Sequence, residues 1–344
     1  MPSFASIHAP REEWLARAEP EDVLDPQLPI VDAHLHLWHY GGQRYFIEEY
    51  AKDVAAAGHN VEASVYVECS NMYRAAGPEH LKPVGETEFA VGQAAMAASR
   101  KYTSTKVAQA IVGHADLLLG ERVREVLEAH VAAGNGRFRG IRFRAKWDAD
   151  AGITGSEWNA GGPGLYRKPE FGKGIDVLTS MGLSFDASIY HPQIADVVAL
   201  ARDHPDARIV VVHTTTPLGH STYAGRQAEN HAQFLADLRD LAACPNVHMK
   251  LGGMVMHLAV FDYFNDPAPP TSRRLAELWR PWIEPCIERF GPQRCMVESN
   301  FPVDKMGVPL RTVWNMFKHL AAGCSEGEKS ALFSGTARRF YRID

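Results

Sequence analysis

His34 and His36 stand two residues apart within the run Ile30-Val31-Asp32-Ala33-His34-Leu35-His36. Residues two apart on a strand share a face, so both imidazoles would point the same way, about 6.6 Å apart along the strand. Such a pair can ligate one metal ion or act together on one substrate oxygen. Further ionisable or polar residues sit near the ends of later apolar runs: Arg142 and Arg144, Asp186 and Tyr190, His213, Lys250, then Glu298 and Asn300. Imidazoles, carboxylates and an arginine fork suit carbonyl polarisation, water activation and carboxylate binding. The chain has no Gly-x-Ser-x-Gly nucleophile elbow, and Cys69 has no basic neighbour in sequence, so a covalent serine or cysteine route is not indicated. His39 reads as a loop residue just past the first strand.

Eight short β-type runs would have to position these groups: 30–36, 63–69, 107–115, 138–144, 184–190, 208–214, 247–253 and 294–300. Amphipathic helical stretches separate them; Val123, Val126, Leu127 and Val131 mark one such face. Strand and helix alternating eight times predict an α/β fold, a (β/α)8 TIM barrel. No glycine-rich phosphate turn follows the first strand, which argues against a doubly wound nucleotide fold. We read one domain over 30–344 with enlarged strand-to-helix loops, and residues 1–29 as an N-terminal arm outside it. Those loops open on the C-terminal face of a barrel, where active sites lie. Trp147, Trp158 and Tyr166 in the loop after the fourth strand could line a pocket or pack the loop. Strand alternation predicts Asp32, His34, His36, Tyr66, Glu68, Arg142, Arg144, Asp186, Tyr190, His213, Lys250, Glu298 and Asn300 toward the barrel axis. It sets Val31, Ala33, Val65, Val67, Val210 and Cys69 toward the helices.

Composition narrows the classes of function. The 344 residues are 46% hydrophobic and 22% charged, with a formal net charge of −5. These are globular proportions, and no basic field exists to hold nucleic acid or an anionic membrane. No apolar run approaches the roughly 20 residues of a membrane helix. The N-terminal residues lack the apolar core of a signal peptide, and five widely spaced cysteines read as reduced thiols. The expectation is a cytoplasmic protein whose partner is a small-molecule substrate, with a homodimer as one open arrangement.

The run from Val31 to Trp38 resembles the opening motif of the amidohydrolase superfamily, and more narrowly its amidohydrolase-2 branch, which includes 2-pyrone-4,6-dicarboxylate, fucono- and rhamnono-lactonases. The resemblance continues in Gly140-Ile141-Arg142, Leu183-Ser184-Phe185-Asp186, Val211-Val212-His213-Thr214, Lys250-Leu251-Gly252-Gly253 and Glu298-Ser299-Asn300-Phe301-Pro302. It implies a hydrolytic barrel, here a lactonase acting on a small carboxylate-bearing organic acid. His34, His36 and His213 would polarise the carbonyl or hold a metal, and Arg142, with Tyr190 and Trp38, would contact substrate. The family usually carries an aspartate where this chain has Asn300. A neutral amide cannot act as general base, so Glu298, or Asp304 from the next loop, would have to supply the carboxylate. Strand four lacks the lysine of a binuclear site, since Lys146 falls at or past its end. The resemblance leaves two states open: no required metal, or one divalent ion, zinc first, on His34, His36, His213 and Glu298, with His191 as a further candidate. It also leaves open a zinc-dependent decarboxylase or hydratase of an aromatic or dienoic acid, and a non-catalytic ligand-binding barrel.

Overall fold

A computed structural model describes residues 9–40, 42–154, 162–255 and 266–344. Eight parallel strands form one sheet in chain order. They are β1 (Ile30–Leu35), β2 (Val61–Val67), β3 (Lys106–Gly113), β4 (Phe138–Arg144), β5 (Ser184–Ser188), β6 (Arg208–Val211), β7 (Val247–Leu251) and β8 (Cys295–Val297). Between and after them run the principal helices, from Ile47–Ala57 to Leu310–Leu320. The sheet closes just beyond β8. Leu35 bridges Phe301 in parallel, Asn300 N donates to His34 O at 3.0 Å, and His36 N donates to Phe301 O at 2.8 Å. This is the expected (β/α)8 barrel.

Most strands end two or three residues before the sequence runs do. His36, Tyr190, His213, Gly253 and Asn300 lie in turns past the strand ends. There the chain leaves the ladder, so polar side chains can gather at the mouth. A short antiparallel hairpin, Trp38–Tyr40 with Gln43–Tyr45, had no distinct signal in sequence. Trp158 lies outside the described residues.

The alternation reading needs correcting in β1, β2 and β6. Val31, Ala33, Val65, Val67 and Val210 join one buried cluster with Val112, Met296, Phe340 and Tyr341. β3 and β6 are not neighbours in the sheet, so a cluster joining them must lie inside the barrel. Tyr66 faces the helix layer instead, where its hydroxyl donates to Glu86 at 3.0 Å. Asp32 also sits off the axis, and its carboxylate accepts from Ser299 N and Oγ. The helix-facing reading holds for Cys69, which joins the outer cluster together with Ile141, Phe143, Phe185, Ile189, Met249, Leu251 and Val297.

A bulge reconciles an inward Ala33 with an inward His34. Asp32 pairs with Ser64 and Leu35 with Tyr66, so β1 advances three residues (32 to 35) while β2 advances two (64 to 66). One extra residue in a strand re-aims the side chains that follow it. Without it, strict alternation would turn His34 toward the helices.

The described part of the N-terminal arm packs on helix Leu310–Leu320. Lys318 Nζ donates to Leu24 O and Asp25 O, and Leu24 N donates to Asn315 Oδ1. The last helix, Thr336–Tyr341, plugs the barrel floor. Tyr341 is fully buried, and its hydroxyl donates to Asp186 Oδ2 at 2.7 Å. Lys250 Nζ reaches the same oxygen at 2.8 Å and Ala33 O at 2.7 Å. Among the described residues no helix is long and apolar enough to cross a membrane. Tyr341→Ala should cost about 3–5 kcal/mol, the usual range for emptying an aromatic site; denaturant unfolding of the two proteins measures it, and Tyr341→Phe should cost nearer ~1 kcal/mol, since only one hydrogen bond is lost.

Candidate active site

At the mouth of the barrel four of the expected residues come together. His34 and His36 face each other with Nε2 atoms 3.2 Å apart. The His34 and His213 rings lie 4.5 Å apart, centroid to centroid. Glu298 sits beneath with no solvent exposure. Its Oε1 accepts from both His213 Nδ1 (2.7 Å) and His213 N (2.9 Å). Its Oε2 lies 3.0 Å from His34 Nδ1, but without hydrogen-bond alignment, so both atoms are buried with no hydrogen-bond partner.

The local backbone is built around that carboxylate. His213, Thr214, Thr215 and Thr216 form a left-handed turn with φ of 58°, 49°, 64° and 48°. Left-handed geometry costs roughly 1–2 kcal/mol per non-glycine residue, and three of these are β-branched. The turn aims two donors of His213 at one oxygen of Glu298. Gly252 N steadies it by donating to Thr214 Oγ1 at 3.2 Å. A β-carbon on Gly252 would collide with Glu298, and one on Gly253 with the His213 ring. The sequence reading quoted this glycine pair as part of a motif but gave it no role; two adjacent glycines at a strand end were the available signal.

Hydrogen bonds settle the tautomers. His36 Nδ1 contacts Val67 O at 2.7 Å, and a carbonyl only accepts, so that nitrogen carries the proton and Nε2 is bare. Arg142 Nη1 lies 3.2 Å from His34 Nε2, and a guanidinium only donates, so that nitrogen is bare too. Two lone pairs therefore converge. Burial above all, with nearby cations, pushes the pKa values of His34, His36 and His213 well below the usual histidine range, so all three are neutral at pH 7. Burial raises the Glu298 carboxyl to about 7, against the pull of Lys250 and the His213 N–H.

Arg142 is committed differently from the expectation. Its Nε donates to Glu68 Oε1 at 2.8 Å and its Nη2 to Glu68 O. The edge expected to grip a substrate carboxylate is thus bound to Glu68. Burial would raise the Glu68 carboxyl, but Arg144 and Arg142 hold it at about 2. Asn300, at φ 54°, donates Nδ2 to Asp304 Oδ1 at 2.8 Å. Burial lifts the Asp304 carboxyl well above its usual range, and the carboxyl that contacts the histidines is that of Glu298. Trp38 stacks on His36 at 5.8 Å. Tyr190 lies under Lys146, whose Nζ is 5.5 Å from the ring centroid. His191 is outside the cluster: its Nδ1 accepts from Leu218 N at 3.1 Å and fastens the loop after β6. Trp147 is half-buried. Tyr166 is a packing residue, with its hydroxyl donated to Phe143 O.

The set also fits one divalent cation. One ligand atom each from His34, His213 and Glu298 lie within 4.8 Å of one another, and the unpartnered Glu298 Oε2 is an orphan acceptor such an ion could satisfy. Two neutral imidazoles with a carboxylate are a common ligand set for zinc.

Comparison with known proteins agrees with the fold. The amidohydrolase family model matches residues 31–343, and the chain belongs to that family. It is a hydrolase of the amidohydrolase superfamily. An uncharacterised protein of Sinorhizobium fredii is 30% identical over 92% of this chain and 99% of its own length. An L-fucono-1,5-lactonase of Burkholderia multivorans is 24% identical over 91% of this chain and 96% of its own. The crystal structure of an amidohydrolase of Burkholderia multivorans with bound zinc superposes with a TM-score of 0.69, at 24% identity, covering 92% of this chain and 99% of that one.

Gly253→Ala should displace His213 from Glu298. A misplacement of about 1 Å at a catalytic group can cost roughly 10²-fold, so kcat on a hydrolysed substrate should fall by about that much. Circular dichroism should show the barrel intact.

Proposed function

We propose that this protein is a lactonase, opening the cyclic ester of a small organic acid by adding water to the ring carbonyl. The observation that carries this reading is the Glu298–His213 pair set against the neutral His34 and His36 imidazoles in one buried cluster. The lactonase among its relatives supports the choice of ester over amide.

Each residue has a task in that reaction. His213 donates Nδ1–H to Glu298, so its Nε2 is bare and free to take a proton from water. Glu298 holds the tautomer and stabilises the imidazolium that results. The water oxygen adds to the carbonyl carbon, and the ring C–O bond breaks as the tetrahedral intermediate collapses. The proton held by the Glu298–His213 pair passes to the leaving alkoxide. Arg142 Nη1, aimed at the pocket beside His34, is placed to stabilise the developing oxyanion. Glu68 positions that guanidinium by holding its other edge. Trp38 and Tyr190 wall the substrate. His34, His213 and Glu298, with His36 facing them, are the residues that would hold a divalent ion; when bound, such an ion supplies Lewis-acid polarisation and a more acidic water.

The test is turnover on a panel of 1,4- and 1,5-lactones, followed by acid release. Glu298→Gln should lower kcat by about 10²–10⁴-fold, because it takes from His213 the carboxylate that sets its tautomer and stabilises its imidazolium. Asp304→Asn should leave most activity, because that carboxyl is engaged by Asn300 Nδ2 and not by a histidine of the cluster. Loss of activity in the Asp304 variant alone would move the base into the loop, and full activity in both would overturn the proposal.

A pH profile gives an independent check. The raised Glu298 carboxyl must be ionised to act, so kcat/KM should rise with pH through a transition near 7 and fall away below it. Glu298→Gln should flatten that limb.

A further inference from the structure

Arg142, Arg144 and Lys146 occupy alternate positions along β4 and its continuation. Glu68 serves the first two. It pairs with Arg142 Nε at 2.8 Å and lies 3.6 Å from Arg144 Nε, and Arg144 Nη2 also donates to Ser70 Oγ. Lys146 has no such partner. It is 5% exposed, and among the described residues no carboxylate forms an ion pair with its ammonium. What lies under it is the Tyr190 ring. Lys146 and Tyr190 lie past the C-terminal ends of β4 and β5, on the face of the barrel where His213 and Glu298 gather. Glu298 is already engaged by His213.

We propose that Lys146 is the anion anchor of this site, pairing with a carboxylate that the substrate carries beside its lactone ring and so selecting acidic over neutral lactones. The proposal rests on the lactonase reading for its substrate class. An ammonium on a side chain this buried, with no carboxylate partner among the described residues, is costly, and the cost is met when a ligand brings the opposite charge. The expected anchor, Arg142, has its bidentate edge filled by Glu68. Lys146 is the cation of the three left for a ligand. Tyr190 gives the ammonium an aromatic face to rest on, which fixes its height without neutralising it. Burial, then the Arg142 and Arg144 charges, lowers the Lys146 amine to about 7. An entering carboxylate reverses that shift, so binding and protonation reinforce each other.

Two measurements on the intact protein test this. The first compares D-glucaro-1,4-lactone with D-glucono-1,4-lactone, which differ by a carboxylate in place of a hydroxymethyl group. Lys146→Met should lower the acidic-to-neutral ratio of kcat/KM by about 10- to 100-fold, the worth of one charge-assisted contact, and Lys146→Arg should recover much of it. The second titrates glutarate calorimetrically at pH 6.5, with no turnover involved. The wild type should bind it, Lys146→Met should bind it at least about 10-fold more weakly, and Lys146→Arg should bind it nearly as the wild type does. Thermal unfolding of each variant confirms folding, and Lys146→Gln serves if the methionine variant does not fold. Equal glutarate binding in wild type and Lys146→Met, or an unchanged ratio, overturns the anchor. Neutral lactones turned over with no glutarate bound would overturn the anchor and leave the lactonase reading standing. Lys146-dependent glutarate binding with no lactone hydrolysed would do the reverse.

Discussion

A carboxylate without solvent exposure is the constraint around which the mouth of this barrel is arranged. Glu298 cannot borrow donors from water, so the protein must supply them. His213 supplies two to one oxygen, and it can do so only from a left-handed backbone that its own residue type and three threonines disfavour. The space for that arrangement exists because Gly252 and Gly253 carry no side chain. Lys250 contributes long-range stabilisation while its ammonium is held by Asp186 and Ala33 O. The other Glu298 oxygen remains unmatched, which leaves the cluster poised to take a positive centre.

Closure of the sheet and construction of the site are one event. The hydrogen bonds that join the end of β8 to β1 use His34 O and His36 N. Those two residues point inward because the bulge in β1 inserts one residue before them. The barrel therefore cannot close in this register without presenting both imidazoles. On the floor, Tyr341 from the last helix meets Asp186 and Lys250 inside the same barrel. Ionic groups at both ends are thus tied to distant chain segments, and the apolar inner cluster lies between them.

The charge distribution along β4 sorts three cations into two jobs. Glu68, held ionised by Arg144 and Arg142, fixes the guanidinium that faces His34. Lys146 stands one step further toward the open end, over Tyr190. A rigid paired arginine and an unpaired lysine make different uses of positive charge: the first is pre-set in direction, the second takes its partner from a ligand.

The amino-acid order alone determined the fold and the roster of reactive groups. Eight β-type runs alternating with helices admit few architectures, and His34, His36, His213 and Glu298 were recognisable because polar residues recur at the ends of apolar strands. Alternation placed the β4, β5, β7 and β8 side chains well: Arg142 pairs with Asp186, and Met296 with Lys250, in register. It failed in β1, β2 and β6, where Val31, Ala33, Val65, Val67 and Val210 face inward, and in β1 a one-residue bulge, which leaves no mark in the local sequence, then brings His34 inward as well. Tertiary structure alone decided which carboxylate is dry and paired with histidine (Glu298) and which is dry and held by Asn300 (Asp304). It also decided that Glu68, seventy-four positions before Arg142, claims the arginine fork, while Lys146 forms no ion pair with a carboxylate among the described residues. Those outcomes depend on distances between residues far apart in the chain and on burial, and neither is a property of any local stretch of sequence.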